Sequence, residues 1–235
     1  MHFSSDLLPI LEARFPVSEL ELEVSGNDHE FGTILCREYK LCTTVGAVRL
    51  NLSQSITLSA WSNLHTLSLV LCPSDLHNPR KSQSLGRWIS SLQNLQHLSL
   101  KFAGSFGITR SLTYPSILVW NEYFKDIRLQ ALSINDAELT PPAIQELLRP
   151  HRTSLRQLRQ DFVNLRSDDD LYAWRDVFES VARDLCLEAF SFGRLTLQVA
   201  QYEWHSVLSC GFSEHGKDAV RTGIVRLARE AHIGR

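Results

Sequence analysis

Three stretches hold side chains whose types and spacing could do chemistry. Arg149, Arg152, Arg156, Arg159 and Arg166 crowd one short segment, and guanidinium forks so arranged can grip carboxylate or phosphate. Asp161 and Asp168 to Asp170 lie close enough in sequence to neutralise them, so a solvated or internally paired charge cluster is expected. Gly211-x-x-x-x-Gly216-Lys217 matches most of a phosphate-binding loop, but Asp218 stands where a Ser or Thr should hold magnesium. A carboxylate there repels phosphate, which leaves a turn before the final helix as the expectation. His205, Cys210 and His215 could ligate a metal, yet their spacing fits no compact zinc pattern. No metal or cofactor is expected.

The elements that must position these groups are announced by a recurring phrase. Leu64-x-x-Leu67-x-Leu69, Leu95-x-x-Leu98-x-Leu100 and Leu129-x-x-Leu132-x-Ile134 are followed, less cleanly, by Leu155-x-x-Leu158 and Leu187-x-x-Phe190-x-Phe192. The spacing suits a short strand whose alternate residues point inward, preceded by a corner leucine that packs beneath the neighbouring strand. Leucine supplies 37 of the 235 residues, and such an excess at regular places favours repeats over an enzyme domain. The expected fold is therefore α/β: a curved leucine-rich repeat solenoid, strands concave and helices convex, with irregular caps.

In that arrangement the residues flanking the inner leucines form rows on the concave solvent side. The first two rows are Thr66, Ser68 and Val70, then His97, Ser99 and Lys101. Next come Ala131, Ser133 and Asn135, then Gln157, Arg159 and Asp161, and last Ala189, Ser191 and Gly193. Serine fills the central column except at Arg159. Small polar side chains suit a tightly curved solvent face, and they also leave a smooth surface for a partner.

The chain divides into an N-terminal cap at 1–44, repeats at 45–195 and a C-terminal cap at 196–235. A strand pair from Leu20 to Val24 and Phe31 to Leu35, or an irregular cap, is expected, and Val45-x-x-Val48-x-Leu50 reads as a degenerate repeat. Ser84 to Leu92 places Leu85, Trp88, Ile89 and Leu92 on one helical face. Thr140 caps a helix that starts at Pro141 and Pro142 and that Pro150 ends. Asp168 to Asp170 offer N-caps to a helix with a stripe of Leu171, Trp174, Phe178, Val181 and Leu185. Ala103 to Pro115 reads as a long loop, Leu195 to Val207 as a last strand and helix, and Lys217 to Glu230 as a capping helix.

His151-Arg-Thr-Ser-Leu155-Arg-Gln-Leu158, Trp174-Arg-Asp-Val-Phe-Glu179 and Leu187-Glu-Ala-Phe190-Ser-Phe192 together resemble the leucine-rich regions of fungal F-box-type proteins. The resemblance covers the repeat part; Leu8-Pro9-Ile10-Leu11 is too brief for the F-box itself. It implies a curved scaffold and substrate selection for a ubiquitin ligase, with a cullin-ligase adaptor as one partner.

Charge and composition narrow the classes further. A net charge of −2 carries neither a nucleic-acid bias nor an acidic tail. Five cysteines, an odd number without a C-x-x-C pair, suit free and mostly buried thiols in a reducing compartment. No apolar run approaches the ~18 residues of a membrane span, so a cytoplasmic or nuclear protein is expected. The leading expectation is a non-catalytic protein–protein recognition scaffold, using Thr66, Ser68, His97, Ser99, Lys101, Ser133, Asn135, Gln157, Arg159, Asp161 and Ser191. The alternative is a stand-alone interaction protein, effector or complex subunit without a ubiquitin-ligase link. An enzyme, third in order, needs titratable groups converging in a pocket.

Overall fold

Each leucine phrase becomes a strand buried on one side only. The computed structural model describes residues 19–24, 32–35, 64–71, 86–87, 89–102, 124–167, 170–199, 203–208 and 211–231; residues 19–24, 32–35, 70–71 and 203–206 are described by backbone alone. The strands of the larger sheet are β1 (Glu19–Val24), β2 (Gly32–Leu35), β3 (Thr66–Leu71), β4 (His97–Phe102), β5 (Ala131–Asn135), β7 (Gln157–Asp161), β9 (Ala189–Phe192) and β12 (Phe212–His215). Their order is β12-β9-β7-β5-β4-β3-β1-β2. β1, β3, β4, β5, β7 and β9 run parallel, while β2 and β12 close the two edges in the opposite direction.

The corner leucines Leu64, Leu95, Leu129, Leu155 and Leu187 are all buried. Each strand start is locked to the previous one by a shared carbonyl. His65 O accepts the N–H groups of Gln96 and His97, Gln96 O those of Gln130 and Ala131, and Gln130 O those of Arg156 and Gln157. Arg156 O does the same for Glu188 and Ala189. This repetition fixes the register, so successive strands present like positions side by side.

The remaining strands, β6 (Glu138–Leu139), β8 (Val163–Ser167), β10 (Leu195–Val199) and β11 (Glu203–Leu208), form a second sheet in the order β11-β10-β8-β6. β5 passes into β6, and β7 into β8, through the left-handed residues Asp136 (φ 54°) and Phe162 (φ 52°). Three helices are bounded within the described residues: α1 (Pro141–Leu148), α2 (Ala173–Asp184) and α3 (Lys217–Glu230).

The expected leucine-rich repeat solenoid is therefore corrected to a mixed α/β fold, in which the described residues form two mostly parallel sheets with three bounded helices. The strand order overturns it. Antiparallel strands border both edges of the larger sheet, and the chain leaving β5 or β7 enters a second sheet rather than going straight to a convex helix. The Leu-x-x-Leu-x-Leu phrase encodes a half-buried strand and its corner. It carries no information about the path by which the chain returns.

α1 has Thr140 as N-cap, its hydroxyl accepting the Ala143 N–H at 3.3 Å, with both prolines in the first turn. Pro150 does not stop the chain's winding: a 3₁₀ turn spans Arg149–His151. α2 buries Trp174, Phe178 and Val181, but Leu171 is exposed and Tyr172 holds the N-cap position. Asp170 instead accepts the Tyr172 N–H. The Trp174 indole N–H donates to Thr196 O at 2.7 Å, tying α2 to β10. Where a strand and helix were expected from Leu195 to Val207, β10 and β11 stand as an antiparallel pair. α3 runs from Lys217 to Glu230 with Val220, Ile224, Leu227 and Ala228 buried. Residues 86–87 and 89–90 are helical, with Ile89 and Leu92 buried. Leu85, Trp88, Val45 to Leu50 and Ala103 to Pro115 lie outside the described residues.

Candidate recognition face of the larger sheet

Because the leucines point inward on alternate positions, the residues between them share the opposite face. The register sets Thr66 beside His97, His97 beside Ala131, Ala131 beside Gln157 and Gln157 beside Ala189. The central line runs Ser68, Ser99, Ser133, Arg159 and Ser191 across the same strands. A third line carries Lys101, Asn135 and Asp161. His97, Lys101, Gln157 and Arg159 are exposed, and the other side chains named in these lines are half-buried.

A shallow trough of about 310 Å³ lies on this face. Thr66, His97, Ser99, Ser133, Arg159 and Ser191 line it, with Gln157 also contributing. Ser68 stands in register with Ser99 but outside the trough, and Lys101, Asn135 and Asp161 lie one line beyond it. The sequence reading missed Ser213 and His215, which β12 places beside Ser191 and Ala189 at the trough's end. Their signal was present: Phe-Ser-Glu-His alternates between two glycines, as a short strand does.

Among the described residues, few bonds hold the polar atoms of this face. Asn135 Nδ2 donates to Ser133 Oγ at 3.1 Å, Arg159 stands 3.8 Å from Asp161, and Lys101 stands 3.8 Å from Asp136. Among the described residues, neither His97 nor His215 hydrogen-bonds a serine of the face. The Arg159 side chain lines the trough with its serines and is 65 % exposed, and a guanidinium so exposed can take a carboxylate bidentately.

The other arginines of the run disperse. Arg149 pairs with Glu146 at 3.2 Å, and Arg156 donates to the carbonyls of Thr153 and Leu155 and faces Glu188. Arg152 lines a cleft between α1 and α2. The glycine-bracketed segment 211–216 is extended, since Phe212–His215 is a strand paired with β9; it does not curl as a phosphate cradle must. Gly216, at φ 90°, makes the turn into α3, and Lys217 faces Glu188 at 3.5 Å. Cys210 and the His205 side chain lie outside the described residues. No group of three metal-ligating side chains converges among the described residues. Cys186 is exposed rather than buried.

His151 is the one strongly perturbed group among the described residues. Burial pushes its imidazole down to about 4, with the Ile127 backbone acting in the opposite sense. Neither ring nitrogen attains hydrogen-bond geometry with a partner, and the Phe124 ring lies 6.5 Å away, centroid to centroid. His151 is fully buried and does not line the trough.

No protein-family model matches the chain, and no curated protein matches it. Fold and face together define an α/β protein with one polar sheet face open to solvent. No helix among the described residues is long and apolar enough to cross a membrane.

Proposed function

We propose that the protein is a non-catalytic recognition module that binds a partner protein across the polar face of its larger sheet. One observation carries the reading. Polar side chains from five neighbouring strands, β3, β4, β5, β7 and β9, fall into register around a trough with Arg159 at its centre. Mostly parallel sheets are usually covered on both faces, and here hydroxyls and an exposed guanidinium occupy the side where a covering layer would pack. Such a face suits a partner segment that brings a carboxylate to Arg159 and backbone groups to the serines.

The test is affinity purification from the protein's own cell extract, comparing the native chain with an Arg159→Glu, His97→Glu double variant. Loss of a specific partner in the variant supports the face; retention of the same partners sinks it. A cytoplasmic or nuclear setting belongs to this reading and is checked by cell fractionation. A link to a ubiquitin ligase would rest on the F-box-type resemblance of segments within 151–192, and a pull-down with the cullin adaptor decides it.

A further inference from the structure

A second surface lies across the core from the trough. Phe178 of α2 packs edge-on against Phe190 of β9 at 6.2 Å, so the opposite side of α2 faces away from the larger sheet. There α2 and α3 flank a groove of about 460 Å³. Along α2 its wall is Arg175, Glu179 and Arg183; along α3 it is Arg221, Val225 and Arg229. Both sets step by four residues, so each helix places a guanidinium at either end of the same face. Ala182 and Ala228 form a low apolar floor, and Val225 is 38 % exposed above it.

The charges do not cancel. Arg175 is bonded to Glu179 at 2.9 Å and Arg183 to Asp184 at 3.0 Å, whereas Arg221 and Arg229 pair with no carboxylate among the described residues. Four guanidinium groups thus border a groove whose lining holds a single carboxylate, Glu179. Eight residues of helix span about 12 Å, which is also the reach between side chains at i and i+8 of a third helix laid alongside.

We propose that this groove docks an acidic amphipathic helix of a partner protein. Its small apolar side chains would rest on Ala182, Val225 and Ala228, and its carboxylates would meet the arginines of both walls. The apolar floor favours a helix over nucleic acid, whose bases would need aromatic surfaces to stack on.

The experiment uses the full chain and a fluorescent synthetic helix with glutamates at i and i+8 along both edges of an alanine–leucine stripe. A scrambled peptide of the same composition and a single-stranded RNA of similar charge serve as comparisons, with fluorescence anisotropy as the readout. The designed helix is expected to bind at least roughly tenfold more tightly than the scramble. Arg221→Glu with Arg229→Glu is expected to weaken it by roughly tenfold, and Val225→Asp, which leaves the arginines intact, to weaken it as well. Should the charge reversal unfold the chain, Arg221→Gln with Arg229→Gln replaces it. Absence of binding, equal binding of the scramble, tighter binding of RNA, or indifference to the arginine substitutions in a folded chain each overturns the proposal.

Discussion

The carboxylate of Asp161 occupies the space that a Cβ on Gly193 would need. Gly193 thus allows the end of β9 to pass beneath Asp161, which in turn stands 3.8 Å from Arg159. Gly193→Ala forces the carboxylate aside or the two strands apart. The expected cost is about 1–3 kcal/mol, read as a lower denaturation midpoint. An unchanged midpoint would mean that the Asp161 side chain swings away freely.

His151 makes stability depend on pH, and the direction follows from its depressed pKa. Above pH ~6.5 the imidazole is neutral in folded and unfolded chains alike and contributes no slope. Between about 6.5 and about 4 the unfolded chain binds a proton that the folded chain refuses. Stability from this group therefore falls as pH falls through that window and levels off below it, a loss on the order of 3 kcal/mol. Urea denaturation from pH 8 to pH 5 should show the decline, and His151→Leu should remove most of it. An identical slope in the variant would assign the effect to other groups.

Phe162 holds φ 52°, a region that costs a bulky side chain roughly 1 kcal/mol. Its ring is 41 % exposed and lies 5.7 Å beneath the Arg194 guanidinium, a contact worth ~0.5–1 kcal/mol at the surface. The two effects nearly offset, and asparagine tolerates the backbone without the strain. Phe162→Asn is therefore expected to leave stability within about 0.5 kcal/mol of native, measured by thermal melting. A loss well beyond ~1 kcal/mol would show that the ring's packing outweighs its strain.

These positions also explain what could be read from the sequence. The corner leucines and the alternation after them are long-range periodic signals, and they delivered the parallel strands, their register and the Ser-Ser-Ser-Arg-Ser line. α1 was legible because a capping threonine and adjacent prolines mark it, and α3 through a weak apolar stripe of Val220, Ile224, Leu227 and Ala228. The second sheet was not. β6 holds two residues, too few for any period, and the turn into β8 is made by a phenylalanine, a residue that announces no turn. Without those two signals, a helix-backed solenoid was the natural but mistaken completion. At the site, Ser213 and His215 were missed because β12 reaches the face from an antiparallel edge, outside the repeating phrase.

That edge depends on Gly223, where helix propensity and packing pull in opposite directions. A glycine-to-alanine change inside a helix ordinarily gains about 1 kcal/mol. In α3, a Cβ at 223 would stand 2.5 Å from Phe212 Cζ. The Phe212 ring cannot retreat easily, because it stacks on Phe192 at 5.5 Å and an angle of 11°, with Phe190 and Arg226 also against it. Overpacking of this kind costs about 1–3 kcal/mol, enough to exceed the propensity gain. Gly223→Ala is thus expected to destabilise the chain by about 1 kcal/mol and to speed hydrogen exchange along β12. Adding Phe212→Leu, which removes the opposing ring, should recover the lost stability in a double-mutant cycle. If Gly223→Ala stabilises the chain instead, Phe212 yields readily, and β12 is a looser support for Ser213 and His215 than its ring contacts imply.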